Sequence, residues 1–303
     1  MRVIITGGSG VIGSELAKNL IGDGNEVIVL SRFPERRQGN SPLGIQFVKW
    51  DGSTAEGWGN LADGADVIVN LAGENIGAGR WTNERKRRII ESRKSAGKAV
   101  VDAVEKATKK PSLVIQISGV DYYGIHGDKE ITENHPVGET FLSETCEAWE
   151  NATLRVEDYG VRRVVCRSAV VLTLKGGALP RLLLPFRFFV GGPLGRGNQW
   201  FSWVHIHDQI SALRWFISTP SSSGVYNLCA PDPLQNKMLA KKIGTVMRRP
   251  SLIPVPAFVI RLIFGEMAMT VLGGQRVMPQ RLEKEGFNFT FPKIEMALID
   301  LLG

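Results

Sequence analysis

The most constraining feature of this chain is its opening, where an apolar run, Arg2-Val3-Ile4-Ile5-Thr6, breaks straight into Gly7-Gly8-Ser9-Gly10 and then into Val11-Ile12-Gly13. A buried strand that turns on glycines into a helix leaves the first helical amides facing open space at the positive end of the helix dipole. Glycine accepts positive φ and carries no Cβ, so the backbone there can turn tightly and approach a phosphate group. Gly8, Gly10 and Gly13 fit the spacing GxGxxG, and Gly7, Gly10 and Gly13 fit TGxxGxxG. Strand, glycine turn and helix in this order predict a dinucleotide pyrophosphate held by Gly7, Gly8, Ser9, Gly10, Val11, Ile12 and Gly13.

The rest of the first half repeats the alternation. Short β-branched runs at 2–6, 26–31, 44–50, 66–71, 112–118 and 162–168 lack polar alternation, as strands covered on both faces do. Helical patterns at 11–21, 83–108 and 139–159 fill the gaps. This predicts an α/β fold, a doubly wound parallel sheet of the Rossmann type. Beyond residue 172 glycine pairs and prolines punctuate mixed strands and turns. Residues 1–172 are expected to form the dinucleotide-binding domain, with 205–223 returning to it. Residues 173–204 and 224–303 are expected to form a smaller α+β substrate lobe.

At 303 residues, 43% apolar, the chain has enough material for one large domain and a smaller lobe. Its net charge of +7 suits an anionic ligand without demanding nucleic acid. The basic run Arg85–Lys94 lacks interleaved aromatics, so a solvated or phosphate-facing helix is expected there rather than a nucleic-acid surface. Cys146, Cys166 and Cys229 have no CxxC spacing, which suits a reducing compartment. The most apolar stretch, 251–274, is broken by prolines and charges, and the opening strand leaves no room for a cleavable leader. The expectation is a cytoplasmic protein with no membrane partner. Val259, Ile260, Ile263, Met267 and Val271 form an apolar stripe at helical spacing, suited to core or homodimer packing. His205-Ile206-His207-Asp208 lacks further ligands at metal spacing, so no metal is expected.

Leu30-Ser31-Arg32 ends the second strand, where an NAD-selective protein places a carboxylate for the ribose diol. Here a guanidinium stands instead. Its fork matches a 2′-phosphate, so Arg32, helped by the Ser31 hydroxyl, predicts NADP(H).

Further motifs carry a resemblance. They are Trp50-Asp51-Gly52, Asn70-Leu71-Ala72-Gly73-Glu74-Asn75, Glu91-Ser92-Arg93, Tyr122-Tyr123-Gly124, the segment 146–150, the segment 201–208, and Gly273-Gly274-Gln275-Arg276-Val277. Together with the opening turn, over nearly the whole chain, they resemble the extended or atypical short-chain dehydrogenases related to nucleotide-sugar epimerases, and within them the epimerase-family subgroup of YfcH-like proteins and short-chain dehydrogenase family 39U. The resemblance implies that Asp51 and Gly52 meet the adenine. It implies that Leu71, Ala72 and Gly73 form a wall for the pyrophosphate and ribose, lined also by Glu74, and that Arg93 is either a contact to phosphate or substrate or one more charge on a solvated helix.

Catalysis is where the chain departs from this family. Active relatives place a tyrosine four residues before a lysine on the helix after strand five. With either Phe141 and Thr145 or Leu142 and Cys146 in those places, neither group is present here. The nearest substitutes lie in Ile117-Ser118-Gly119-Val120-Asp121-Tyr122-Tyr123-Gly124, at the carboxyl end of strand five where ligands of open sheets sit. Ser118 and Tyr123 are the candidate catalytic residues, although a phenol without a neighbouring lysine is a poor base at neutral pH. Two functions follow: an NADP(H)-dependent oxidoreductase or epimerase-like enzyme acting on a small hydroxyl or carbonyl compound, or an NADP(H)-binding sensor that has lost turnover.

Overall fold

The computed structural model describes residues 1–36 and 44–303. The first half builds β1 (Arg2–Thr6), α1 (Val11–Gly22), β2 (Glu26–Ser31), β3 (Ile45–Lys49), β4 (Val67–Asn70), α2 (Asn83–Lys106) and β5 (Leu113–Gly119). There follow a two-residue strand β6 (Glu130–Ile131), α3 (Phe141–Asn151) and β7 (Arg162–Ser168). Thr82 and Thr140 cap α2 and α3, each accepting from the amide three residues on. The long helical pattern after strand five resolves into α3 and a 3₁₀ segment, Leu154–Tyr159, because the chain must turn back into β7.

The second half adds β8 (Val170–Leu172), α4 (Leu179–Arg187), β9 (Trp200–Phe201), β10 (Trp203–His205), α5 (Ile206–Ser218) and β11 (Gly224–Leu228). It ends with β12 (Leu234–Gln235), α6 (Asn236–Met247), α7 (Ala257–Phe264), α8 (Ala268–Leu272), β13 (Arg276–Val277), α9 (Gln280–Lys284) and α10 (Ile294–Leu302). The stripe expected as one helix over 257–272 is broken after α7, where Gly265 takes φ +59° and starts a 3₁₀ turn.

The main sheet is parallel throughout and seven-stranded, in the order β11-β7-β5-β4-β1-β2-β3. Alternate residues of each strand feed opposite cores. Val3, Ile5, Val27, Val29 and Val69 pack against Leu16 and Leu20 of α1 and Leu213 and Phe216 of α5, while Ile4, Ile28, Leu30 and Ile68 pack against Ala96, Val100 and Ala103 of α2. Both faces being apolar, the strands need no polar alternation.

The return of the chain to this domain extends past the expected limit of 223. β11 pairs with β7 from Gly224 to Leu228, and Leu282 and Phe287 also join the sheet's core. β11 carries no clear strand signal in the sequence because Gly-Val-Tyr-Asn-Leu is too mixed to read as a covered strand. The lobe has its own core, in which Leu179, Leu183 and Phe186 of α4 meet Leu239 and Ile243 of α6 and Leu298 of α10. The chain leaves β1 toward β2 on one side, and β4 lies on the other, so the crevice at their carboxyl ends is the point where strand order reverses.

Candidate functional site

At that crevice Thr6 and Asn70, the last residues of β1 and β4, form a buried polar chain. The Thr6 hydroxyl donates to Asn70 Oδ1 at 2.6 Å, and Asn70 Nδ2 donates to Gln116 Oε1 at 2.8 Å. Thr6 Oγ1 also accepts from the amides of Leu71 and Ala72. These bonds fix the depth of the wall that Leu71, Ala72 and Gly73 present, a role that the motifs holding Thr6 and Asn70 do not announce.

The glycine turn is seated against that wall. Gly7 has φ +63°, and a Cβ there would lie 2.8 Å from the Leu71 carbonyl oxygen. Gly13 is equally constrained, since a Cβ would fall 2.5 Å from Gly8 Cα. Gly10 is the N-cap of α1, its amide donating to the Gly7 carbonyl and its carbonyl accepting from Ser14. No side chain caps α1, and no acid lies in its first turn. The turn made by Gly7, Gly8, Ser9 and Gly10 with Val11, Ile12 and Gly13 is therefore shaped for a ligand that brings its own negative charge.

At the neighbouring strand ends, Ser31 is buried and its hydroxyl accepts from the Phe33 amide, so it braces the turn. Arg32 is exposed and leans toward Gly52, where a Cβ would lie 3.8 Å from Arg32 Cδ. Asp51 accepts from the Ser53 and Thr54 amides at 2.7 and 2.9 Å and from the Thr54 hydroxyl at 2.8 Å. A burial penalty is outweighed by the hydrogen bonds from Thr54 and Ser53, which hold its carboxyl down at about 2. Asp51 thus shapes the loop that follows β3.

Two residues face elsewhere than the resemblance implies. The Glu74 carboxylate turns to α2, 3.7 Å from Arg85 and 3.6 Å from Arg88. Arg93 is only 7% exposed; its guanidinium lies 4.5 Å from the Trp149 ring centre and donates to the carbonyls of Ile89 and Glu74. A Cβ on Gly73 would sit 3.0 Å from Arg93 Cζ, so Arg93 props the wall from behind and does not reach into the crevice. The basic end of α2 is likewise spent on structure. Arg85 donates to the Asn75 carbonyl, Lys86 pairs with Glu266, and Arg80, just before the helix, donates to the Leu262 carbonyl at the end of α7.

Tyr123 takes a different place from that of a catalytic phenol. It is fully buried, its hydroxyl donates to Asn227 Oδ1 at 2.6 Å and accepts from Arg167 Nη1 at 3.0 Å, and burial pushes its pKa up. Arg167 in turn grips Glu150 of α3 through two 2.8 Å bonds. This buried cluster clamps α3 to the sheet and commits the Tyr123 hydroxyl to Asn227 and Arg167. Ser118 is 3% exposed, and its hydroxyl makes no conventional hydrogen bond but has the Cys146 thiol beside it. Burial, then Asp121, then Glu150, push that thiol up to about 12.

Asp121, unremarked in the sequence because a lone carboxylate carries no spacing signal, lies two residues beyond Gly119 of β5. It lines a cavity of about 230 Å³ together with Trp81, Glu139, Phe141 and Gln275. Asp121 is half-buried as a residue, with its carboxyl packed deep among neighbouring atoms, and burial pushes its pKa up to about 6. Its position is set by Gly119, whose Cβ would lie 3.6 Å from Asp121 Oδ2 and 3.5 Å from Cys146 Sγ.

The histidine segment is structural. His205 Nδ1 accepts from the His207 amide and its ring stacks on Phe291 at 4.0 Å, while the Asp208 carboxylate accepts from the amides of Thr290 and Phe291. Among the described residues no helix is long and apolar enough to cross a membrane.

Comparison with known proteins agrees with this geometry. Residues 3–150 match the NAD dependent epimerase/dehydratase family, and residues 255–301 match a domain of unknown function, DUF1731. The chain is 36% identical to the epimerase family protein YfhF of Bacillus subtilis, over 100% of this chain and 98% of that one. It is also 36% identical to the chloroplastic SDR39U1 homologue of Arabidopsis thaliana, over 98% of this chain and 86% of that one. The crystal structure of human epimerase family protein SDR39U1 (isoform 2) with NADPH superposes with a TM-score of 0.88 at 34% identity, covering 99% of each chain.

Proposed function

Since the chain belongs to the NAD dependent epimerase/dehydratase family, in the branch of SDR39U1, we propose that it is an NADP(H)-dependent oxidoreductase or epimerase-like enzyme acting on a hydroxyl or carbonyl compound. The observation that carries this reading is the uncapped, acid-free start of α1, seated by Gly7 against Leu71, with Arg32 exposed at the next strand end. The bound nicotinamide would supply or accept the hydride. The amides at the start of α1 bind the pyrophosphate, Arg32 reads the 2′-phosphate, and Asp51 and Gly52 shape the adenine shelf. Asp121 holds the proton at its carboxyl, in place of the absent tyrosine and lysine, and its pKa of about 6 lets it give or take that proton near neutrality.

Calorimetric titration with NADPH and NADH tests the cofactor reading. Charge-assisted hydrogen bonds of about 1.5–3 kcal/mol correspond to roughly ten- to a hundredfold in affinity, so Arg32→Asp should weaken NADPH by that factor and leave NADH nearly unchanged. Equal losses for both would overturn the assignment of Arg32.

A second reading, a nicotinamide-binding sensor without turnover, is favoured by α3. The Thr145 hydroxyl is spent on the Phe141 carbonyl and the Cys146 thiol is held neutral, so that helix offers no ionised group to the crevice. A panel of carbonyl and hydroxyl compounds separates the two: turnover above the nucleotide-only blank supports the enzyme, and binding without turnover supports the sensor.

A further inference from the structure

Beside the Asp121 cavity lies a larger one, of about 560 Å³, partly open to solvent and walled by the lobe helices. Its walls are Phe186 of α4, Leu239 and Ile243 of α6, Ile260 and Phe264 of α7, and Val271 of α8. Thr270 lines both cavities, so the two adjoin. Gly177 lines the cavity, and its neighbour Gly176 packs toward the start of α1, where a Cβ on it would lie 3.1 Å from the Val11 side chain.

The polar groups on this wall are few, and part of their bonding capacity is spent on the protein. Asn236 Oδ1 accepts from the Leu194 amide at 2.7 Å, Asn75 Oδ1 accepts from the Gly77 amide at 2.8 Å, and the Thr270 hydroxyl donates to the Met267 carbonyl at 2.8 Å. Arg181 is exposed at the rim, and its guanidinium makes one long bond of 3.3 Å to the Gly77 carbonyl and keeps its other donors for solvent. Among the described residues it is the one charged side chain on the lining. A nucleoside diphosphate would bring two phosphoryl groups, a ribose and a base into this space, where Arg181 is the single cation among the described residues of the lining and most of the wall is apolar. The volume lies in the range of sites for drug-sized ligands, which gain affinity mainly from apolar burial.

We propose that this cavity is the substrate site and that it takes an amphipathic hydroxyl or carbonyl compound, an aliphatic or aromatic body carrying one carboxylate, with the carboxylate on Arg181 and the oxygen function directed past Thr270 to Asp121. This deepens the proposed function and rests on it for the chemistry, although the binding site stands on the cavity alone. The stripe at Ile260, Ile263, Met267 and Val271, which periodicity assigned to core or dimer packing, is then the roof of a ligand chamber. The roof is fastened by Lys86 to Glu266 and by Arg80 to the end of α7.

The test titrates the full chain, with and without saturating NADPH, with decanoate, methyl decanoate and UDP-glucose, read by calorimetry. Decanoate should bind and UDP-glucose should not. Arg181→Gln, a surface change, should weaken decanoate about tenfold and leave the methyl ester unaffected, as loss of one charge-assisted contact requires. Ala240→Phe should abolish binding of both acid and ester while the NADPH constant stays the same, which also shows that this variant is folded. UDP-glucose binding in preference to decanoate, equal losses of acid and ester in Arg181→Gln, or decanoate binding that survives the filled cavity would each overturn the proposal. Absence of NADPH binding with decanoate bound would instead overturn the proposed function and leave the site intact.

Discussion

Arg167 on β7 holds Glu150 on α3 by two parallel 2.8 Å hydrogen bonds, with both side chains almost wholly withdrawn from water. Burial alone would disfavour the Arg167 charge, but the Glu150 carboxylate more than compensates and holds it above its ordinary pKa. The guanidinium also lies 3.3 Å from the Tyr122 ring centre. α3, the helix that in active relatives presents the tyrosine and lysine, is here fixed to the sheet by this pair.

Removal of one partner leaves the other charge buried and unpaired. Glu150→Ala should therefore destabilise the fold by about 3–5 kcal/mol, visible as a large fall in the midpoint of urea unfolding. A loss below about 1 kcal/mol, the level of an exposed pair, would contradict the burial described here.

Tyr123→Phe separates a structural phenol from a chemical one. It strands Asn227 Oδ1 and an Arg167 donor in the interior, at a cost of about 1–3 kcal/mol. Turnover per folded molecule on an identified substrate should stay within about twofold of the parent, whereas loss of a positioned acid or base costs about 10²- to 10⁴-fold. A loss of that larger size would return Tyr123 to the mechanism.

Asp121 gives the expected pH dependence. Its folded pKa, raised to about 6 from 3.8, makes ionisation costly in the fold. Its contribution to stability is present in full below the unfolded value and is lost as pH rises through about 6. In the reductive direction the protonated carboxyl gives the proton, so the rate should fall above about pH 6; in the oxidative direction it should rise through the same value. Asp121→Asn should remove this limb from both profiles, and a profile with the limb unchanged in the variant would assign it to another group.

The glycine turn predicts a binding defect without a matching loss of fold. At Gly13 a Cβ would enter the space of Gly8 Cα, so Gly13→Ala must push the turn out of shape at the point where the amides converge. NADPH affinity should drop by more than tenfold, while hydrogen exchange in β4, β5 and β7 remains protected. Undiminished affinity would show that the pyrophosphate is held elsewhere.

What the sequence determined is the local and repetitive part of this protein. The step from Thr6 to Gly7 and on into Val11 specifies its turn by backbone sterics alone, and six of the main-sheet strands announce themselves as short runs rich in β-branched residues, most of them with a buried apolar centre. The absence of a carboxylate beside Arg32 was legible for the same reason, being a property of one strand end.

Only the tertiary structure decided what depended on partners far away in the chain. The Tyr123 hydroxyl is engaged by Arg167 and Asn227, residues 44 and 104 positions distant. Arg93 was withdrawn behind Gly73 by Trp149, β11 gained its identity from pairing with β7, and Asp121 acquired its raised pKa from the atoms packed around it. Burial, desolvation and enclosed volume are sums over neighbours that folding brings together, and no spacing along the chain encodes them.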